Sequence, residues 1–380
     1  MSQRGSTRKR GTTWTAYWWV TGPDGNRRQR SKGGFATKRA ASAHLTEVLA
    51  AVQNGTWSEP TDKRMTVRAY ALEQWLPSLD VRTATVAQYR HVTEAWVLPH
   101  IGGERLALLT PAHVERMLAT LRISGARGGR PLSDRSVQMA HLVSRMMFEH
   151  ALRRGGYVQH NPVTVVKRPK ARSAEMQAWS ADEVRTFLAT IATDRLRAAW
   201  VLFLARGPRR GEVAGMRWRD VDLEAGRWRV VHTRISVGGT VVESTPKTAA
   251  GRRTIPLDSQ LVAMLRSLKA AQAAERLSAG PAWTDSGYVV VNELGQPYHP
   301  EALSDRWEAL VKAADVPRIR LHDARHTAAT LMLSNGTPTK VASELLGHAS
   351  PMITQSLYQH VMPGMTESAA EALSALVLGS

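Results

Sequence analysis

Across residues 65–165 the apolar side chains recur at helical spacing in one segment after another, whereas the regions on either side switch to strand-like alternation broken by turns. A change of period of this kind makes the chain α+β and divides it into parts, and 380 residues leave room for two to three domains. Within the helical block, one helix begins after Thr66 and stops at Pro77. A second runs over about 85–97, with Val86, Tyr89, Thr93 and Trp96 along one side. Thr110-Pro111 supplies an N-cap followed by proline at the first helical position, and Val114, Met117, Leu118 and Leu121 follow at core spacing. After a Gly/Arg-rich loop at 124–130, Val137, Ala140, Ser144, Met147, Phe148 and Ala151 mark the buried stripe of a long helix over 133–154.

Ahead of this block, residues 14–20 are β-prone, Pro23-Asp-Gly-Asn26 signals a turn, and residues 27–31 return as a basic strand. Thr37 caps a helix whose apolar positions are Ala41, Leu45, Val48, Leu49 and Val52, ended by Asn54-Gly55. The pattern predicts a small sheet with one helix behind it. Aromatics occupy both faces of the first strand, so one face packs on the helix and the other, with Trp18, Arg27, Arg28, Arg30 and Lys32, is the expected DNA contact; an ordinary basic surface with structural tryptophans is the alternative.

Behind the helical block, Asn161-Pro162 and the run Lys167-Arg-Pro-Lys-Ala-Arg172 read as an exposed basic linker, whose Lys167, Arg168 and Lys170 can follow a phosphate backbone. Ser180-Ala-Asp-Glu183 is a capping box opening a helix through Ile191, and the apolar run 198–205 is a buried helix. Residues 228–235, 240–243 and 253–257 alternate as strands, with Gly238-Gly239 as a turn, and helices return over 258–274, 300–314 and onward.

Charge then narrows the partner. The 51 Lys and Arg against 32 Asp and Glu leave +19, and residues 1–64 are the most basic part. Such a balance favours a polyanion, nucleic acid above all. The longest apolar run is far short of the roughly 20 residues of a spanning helix, which weakens a membrane partner. The basic N-terminus lacks the apolar core of a secretory signal, so a cytoplasmic protein is expected. With no cysteine, disulfides, thiol nucleophiles and thiolate metal sites are excluded.

Five separated features carry chemistry. In Gly207-Pro-Arg-Arg-Gly-Glu212, Arg209 emerges at a loop-to-helix junction; its planar fork suits a phosphodiester, and Glu212 either orients it or forms a surface pair. Lys247 lies in a turn between two predicted strands, where its ammonium either protonates a departing alkoxide or is simply exposed. His322-Asp-Ala-Arg-His326 opens a helix that puts His322 and Arg325 on one face. His322 and His326 have the spacing of a metal pair, but no third ligand is placed by spacing and no metal is assigned. His348 follows in Leu-Gly-His. Tyr358 is a packing residue or a nucleophile; as a nucleophile it needs cations and a base nearby, since a phenol of pKa about 10 is scarcely ionised at neutral pH.

In order and spacing these features resemble the tyrosine recombinase, or phage integrase, family. The motifs are Arg209 with Glu212, Lys247 in Pro-Lys-Thr followed by Arg-Arg-Thr-Ile-Pro-Leu257, His322 and Arg325 in His-Asp-Ala-Arg-His-Thr, His348 in Leu-Gly-His, and Tyr358 ten residues later. Leu98-Pro-His-Ile-Gly102, with Leu106 and Leu109-Thr110, is similar to the family's core-binding domain, and the N-terminal strands and helix to the arm-binding domain of its longer members. Three departures stand out: Arg206 and Pro208 around Gly207, and Ala324 in place of a common leucine. Pro208 is expected to bias Gly207 toward extended geometry, and Arg206 to compete electrostatically with Arg209.

The resemblance implies an arm-type DNA-binding module at 1–60, a small β-sheet plus helix. It implies an all-helical core-binding domain at 65–165, a basic linker at 166–174, and a mainly helical catalytic domain with a small antiparallel sheet at 175–380. It implies site-specific strand exchange through a 3′-phosphotyrosyl link, without ATP, metal or other cofactor. Arg209, Arg325 and His348 would hold the phosphate, His322 assist Tyr358, and Lys247 protonate the leaving 5′-oxygen. Its implied partners are double-stranded attachment sites, a homo-tetramer on DNA, and an excisionase or host DNA-bending protein, at the bacterial nucleoid. A type IB topoisomerase shares the chemistry, and a non-catalytic DNA-binding regulator shares the scaffold.

Overall fold

The computed structural model describes residues 5–21, 27–53, 64–126, 128–155, 157–171, 177–246, 251–347, 374 and 378. The chain forms two compact units, Met1–Arg172 and Ser173–Ser380. The first contains two separate apolar cores.

At its start, β1 (Ser6–Arg10), β2 (Thr13–Thr21) and β3 (Arg27–Phe35) make an antiparallel sheet in that order. Helix α1 (Lys38–Gln53) follows, with Thr37 Oγ1 accepting from the Ala40 amide at 3.2 Å. β1 is an addition to the sequence reading: Ser-Thr-Arg-Lys-Arg has no apolar alternation and is recruited by backbone pairing, Ser6 opposite Tyr17 and Arg10 opposite Thr13. Ala16, Trp18 and Val20 share one face of β2 and pack on Leu45, Val48, Leu49 and Val52 of α1. The predicted turn at 23–26 and helix stop at 54–55 lie outside the described residues.

In the helical part, α2 (Val67–Tyr70) is capped by Thr66 and continues through a wide turn (Ala71–Trp75) and a tight one (Leu76–Ser78). α3 (Thr83–Val92) passes through a wide turn (Thr93–Val97) into α4 (Leu98–Ile101), beyond the expected stop near 97. Pro99 does not break it, because it stands in the first turn of α4, where a missing amide costs least. α5 (Pro111–Ser124) and α6 (Asp134–Arg154) bury the stripes that the spacing predicts. Residues 161–170 are not a free linker. Asn161 is buried and donates to the Arg145 carbonyl, His141 bonds the Val166 carbonyl, and Gln138 donates to the Pro169 carbonyl. Lys167, Arg168 and Lys170 remain exposed along that held stretch.

The second unit is built around α8 (Arg197–Arg206), preceded by α7 (Ala181–Thr190) with its Ser180/Glu183 capping box. Six of the ten residues of α8 are buried, so it is a core helix with no polar face. Trp200 on α8, Trp179 and Phe187 meet Trp307 of a later helix; Trp179 stacks on Trp307 at 5.4 Å between centroids. Burying side chains of this size contributes about 1.5–3 kcal/mol each. α9 (Arg210–Ala214) follows, then β4 (Val221–Asp222), β5 (Arg227–Arg229), β6 (Thr233–Val237), β7 (Thr240–Ser244) and β8 (Thr254–Pro256). The strands make a three-stranded sheet in the order β4-β5-β8 and a separate β6-β7 hairpin. The single strand predicted over 228–235 is therefore two. Between β5 and β6 the chain leaves the sheet to cross Gly215 at the end of α9, so closely that a Cβ there would sit 2.8 Å from the Thr233 Cα. α10 (Ser259–Ala279), α11 (Pro300–Ala313), α12 (Asp323–Ser334) and α13 (Thr339–Leu346) complete the described unit. No helix among the described residues is long and apolar enough to cross a membrane.

Candidate active site

The corner between α8 and α9 fixes the first arginine. Gly207 closes α8 in the left-handed conformation (φ 61°, ψ 36°), its amide bonded to Phe203 O at 3.0 Å. This corrects the extended geometry expected ahead of Pro208, since a residue without a Cβ can take the helix-ending conformation. Space demands glycine as well: a Cβ would stand 2.5 Å from Leu346 Cδ2 and 3.2 Å from Ala328 Cβ. Arg206 does not compete with Arg209. It is engaged by the Pro256 carbonyl and Asp258.

Arg209 begins α9, and Glu212, 1% exposed, is its organiser. One carboxylate oxygen accepts from the Arg209 amide at 2.8 Å and from Arg253 Nη2 at 3.0 Å; the other accepts from Arg209 Nη1 at 2.8 Å and Arg253 Nη1 at 3.1 Å. Burial pushes the Glu212 carboxyl up, but the Arg253 and Arg209 bonds outweigh it and hold the group below the usual range. It is thus a buried, fully bonded carboxylate, and the surface-pair reading does not apply.

Arg325, on the first turn of α12, reaches back across the fold and donates from Nη1 to the Gly207 carbonyl at 2.7 Å. It is 3% exposed, and its Nη2 has no hydrogen-bond partner among the described residues. Burial first, then Arg209 and Arg253, push its guanidinium down to about 9, with Glu212 opposing; it remains charged at neutral pH. Two guanidiniums thus share one carboxylate, and the charge of a third, Arg325, interacts with all of them.

His322 stands at the N-cap of α12, three residues before Arg325. Its ring meets His326 edge-on at 5.4 Å and borders a cavity of about 460 Å³ shared with Arg210, Arg318 and Arg320. Desolvation by the surrounding protein, then His326 and Arg325, lower its pKa and favour the neutral imidazole. Asp323 beside it is buried and gripped by Arg320 through Nε and Nη2, both at 2.8 Å, which braces this end of α12. Among the described residues no three His, Cys, Asp or Glu gather to hold a metal ion.

Lys247, His348 and Tyr358 lie outside the described residues. The chain reaches their neighbours at Ser244, the end of β7, and at Gly347, left-handed at the end of α13, whose carbonyl accepts from Arg209 Nη2 at 2.8 Å. The residue that sequence reasoning missed is Arg253. Its signal is the alternation 253–255–257: Ile255 and Leu257 are buried, so Arg253 belongs to the inward face of the same strand.

The basic residues of the N-terminal sheet divide between its faces. Trp18, expected at the DNA face, is instead 4% exposed beneath α1, because it alternates with the inward Ala16 and Val20. Arg28, Arg30 and Lys32 pair with Val20, Trp18 and Ala16 and so share that face on the edge strand. The open face carries Tyr17 and Trp19, with the Arg8 guanidinium 5.5 Å from the Tyr17 ring and Arg27 5.8 Å from that of Trp19.

Residues 178–364 match the model of the phage integrase family, and residues 6–52 that of an arm DNA-binding domain. The chain is 28% identical to a tyrosine recombinase XerC-like protein of Caldanaerobacter subterraneus over 364 residues, 90% of each chain. Among solved structures it is similar to the Tn1549 transposon integrase in complex with transposon right end DNA, with a TM-score of 0.68, 19% identity, and coverage of 82% of this chain and all of that one. A lambda integrase tetramer bound to a Holliday junction has a TM-score of 0.57, with 18% identity and coverage of 90% and 92%.

Proposed function

The chain belongs to the phage integrase family of tyrosine recombinases, and from that premise we propose the strand-exchange mechanism of its described site. It is a site-specific DNA recombinase that cuts and rejoins strands through a phosphotyrosyl link, acting as the integrase of a mobile element.

The observation that carries the mechanism is the excess of fixed cations among the described residues: Arg209 and Arg253 on the carboxylate of Glu212, and Arg325 within reach of their charge, its Nη2 without a partner among those residues. A buried charge left without a counter-charge is costly, so the pocket is preorganised for an anion. A phosphodiester supplies one, and a pentacoordinate phosphorus gathers more charge on its non-bridging oxygens than the ground state does. In this reading Arg209, Arg325 and His348 bind those oxygens. The Tyr358 oxygen attacks phosphorus and yields its proton toward neutral His322; the P–O5′ bond breaks, and Lys247 protonates the departing 5′-oxygen. The ester energy is retained in the phosphotyrosyl link, so attack by another 5′-hydroxyl reverses the step without an energy donor.

The open face of the N-terminal sheet, with Arg8, Tyr17, Trp19 and Arg27, supports binding of an arm-type site, and Lys167, Arg168 and Lys170 support contact with the backbone of the core site. Four protomers on two sites, directed by an excisionase or a host DNA-bending protein, complete the reading. Its place is the cytoplasm, on the nucleoid. The test is to stop cells expressing the protein with detergent and sequence the DNA covalently attached to it. Recurrent breakpoints at a few sites support the reading; attachment spread without preference over the genome contradicts it.

A further inference from the structure

We propose that Arg253 is a positioning residue for strand cleavage, holding Glu212 and through it Arg209, while tying the end of α13 to β8. The inference rests on the recombinase reading above.

Arg253 has a side chain only 8% exposed, and its donors are spent on specific partners. Nη1 and Nη2 take the two oxygens of Glu212, and Nε donates to the Leu345 carbonyl at 2.7 Å. Arg209 repeats the arrangement, with Nη1 on the same Glu212 oxygen that Arg253 Nη1 uses and Nη2 on the Gly347 carbonyl. Each arginine therefore bridges one carboxylate to one carbonyl at the C-terminus of α13. Those carbonyls have no partner within the helix, and a cation at that end of the dipole is favoured. His348 is the next residue after Gly347 in the sequence. Arg253 also stands at the foot of β8, on the far side of the segment that contains Lys247.

Glu212 without Arg253 would lose two of its four side-chain bonds and the freedom to turn would pass to Arg209. Lysine cannot substitute: a guanidinium offers five donors in a fixed fork, an ammonium three around one point. The geometry thus assigns to Arg253 the orientation of the first phosphate-binding arginine, with no contact to DNA required of it.

The experiment uses the full-length protein and a nicked duplex spanning the site recovered from covalently attached genomic DNA. Arg253→Lys is expected to slow formation of the covalent complex by roughly tenfold to a hundredfold, with duplex affinity within about twofold of the parent. A residue that only stabilised the fold would lower the melting temperature and leave the rate of the folded fraction in place. For Arg253→Ala, methylguanidinium added at millimolar concentration should restore cleavage. A folded Arg253→Lys with the parent rate, or an alanine variant deaf to methylguanidinium, overturns this inference alone. A parent protein that forms no covalent complex, or Tyr358→Phe that forms one, overturns the recombinase reading and this inference with it.

Discussion

The Nη1 of Arg325 lies 2.7 Å from the carbonyl oxygen of Gly207, joining residues 118 positions apart and fastening the start of α12 to the α8–α9 corner. That bond makes one rigid object of two segments that each supply an arginine. It leaves Nη2 of Arg325 without a hydrogen-bond partner among the described residues. Arg325→Lys keeps the charge but cannot hold Gly207 and grip a phosphate at once. Cleavage in single turnover should fall by about 10²-fold or more, with DNA affinity nearly unchanged, as expected when a preorganised donor to the transition state is lost.

Gly207→Ala tests the corner itself. The left-handed backbone disfavours any side chain, and the methyl group would overlap Leu346. The variant should lose about 1–3 kcal/mol, read as a lower melting temperature, together with most of its cleavage activity.

Glu212→Gln removes the buried carboxylate that Arg209 and Arg253 share. A loss of about 3–5 kcal/mol in urea unfolding at neutral pH is expected. The pH dependence follows from the sign of the shift. Glu212 is held below its ordinary pKa, so its stabilisation is fully present above the unfolded-state value of 4.5 and is lost as pH falls through the lower folded value. Unfolding of the glutamine variant should therefore show a shallower loss of stability over that acid window than the parent does.

The N-terminal sheet separates packing from binding within two adjacent tryptophans. Trp18→Ala should destabilise this module by about 3–5 kcal/mol, read by its thermal transition. Trp19→Ala should leave the transition in place and weaken arm-site binding. Deleting residues 1–60 should spare cleavage of an isolated core site yet weaken assembly on a full site, whose binding falls steeply with salt.

Much of this architecture can be read from local pattern. The Thr110-Pro111 start of α5, the stripe of α6 and the Ser180/Glu183 capping box depend on residues within a few positions of one another, and they fold as the spacing predicts. The features that escape a linear reading depend on distant partners. β1 exists because β2 pairs with it, and the break before β6 is imposed by the close approach to Gly215. Alternation in β2 shows that Trp18 and Trp19 face opposite ways; only the position of α1 decides which is buried. In the site, Arg209 and Arg325 are recognisable by motif, while the role of Glu212 as a hub emerges only when Arg253 arrives from β8. The expectations for Lys247, His348 and Tyr358 concern residues outside the described ones and rest on their spacing within the family pattern.

Whether this arginine cluster positions a phosphodiester for attack by Tyr358 is tested most directly by identifying the covalent bond. Parent protein and Tyr358→Phe, incubated with the nicked site and digested, are compared by denaturing gel and peptide mass spectrometry. The parent should give a protein–DNA adduct whose nucleotide is carried by the peptide containing Tyr358, and the phenylalanine variant no adduct. An adduct on another residue, or one that survives Tyr358→Phe, would contradict attack by Tyr358.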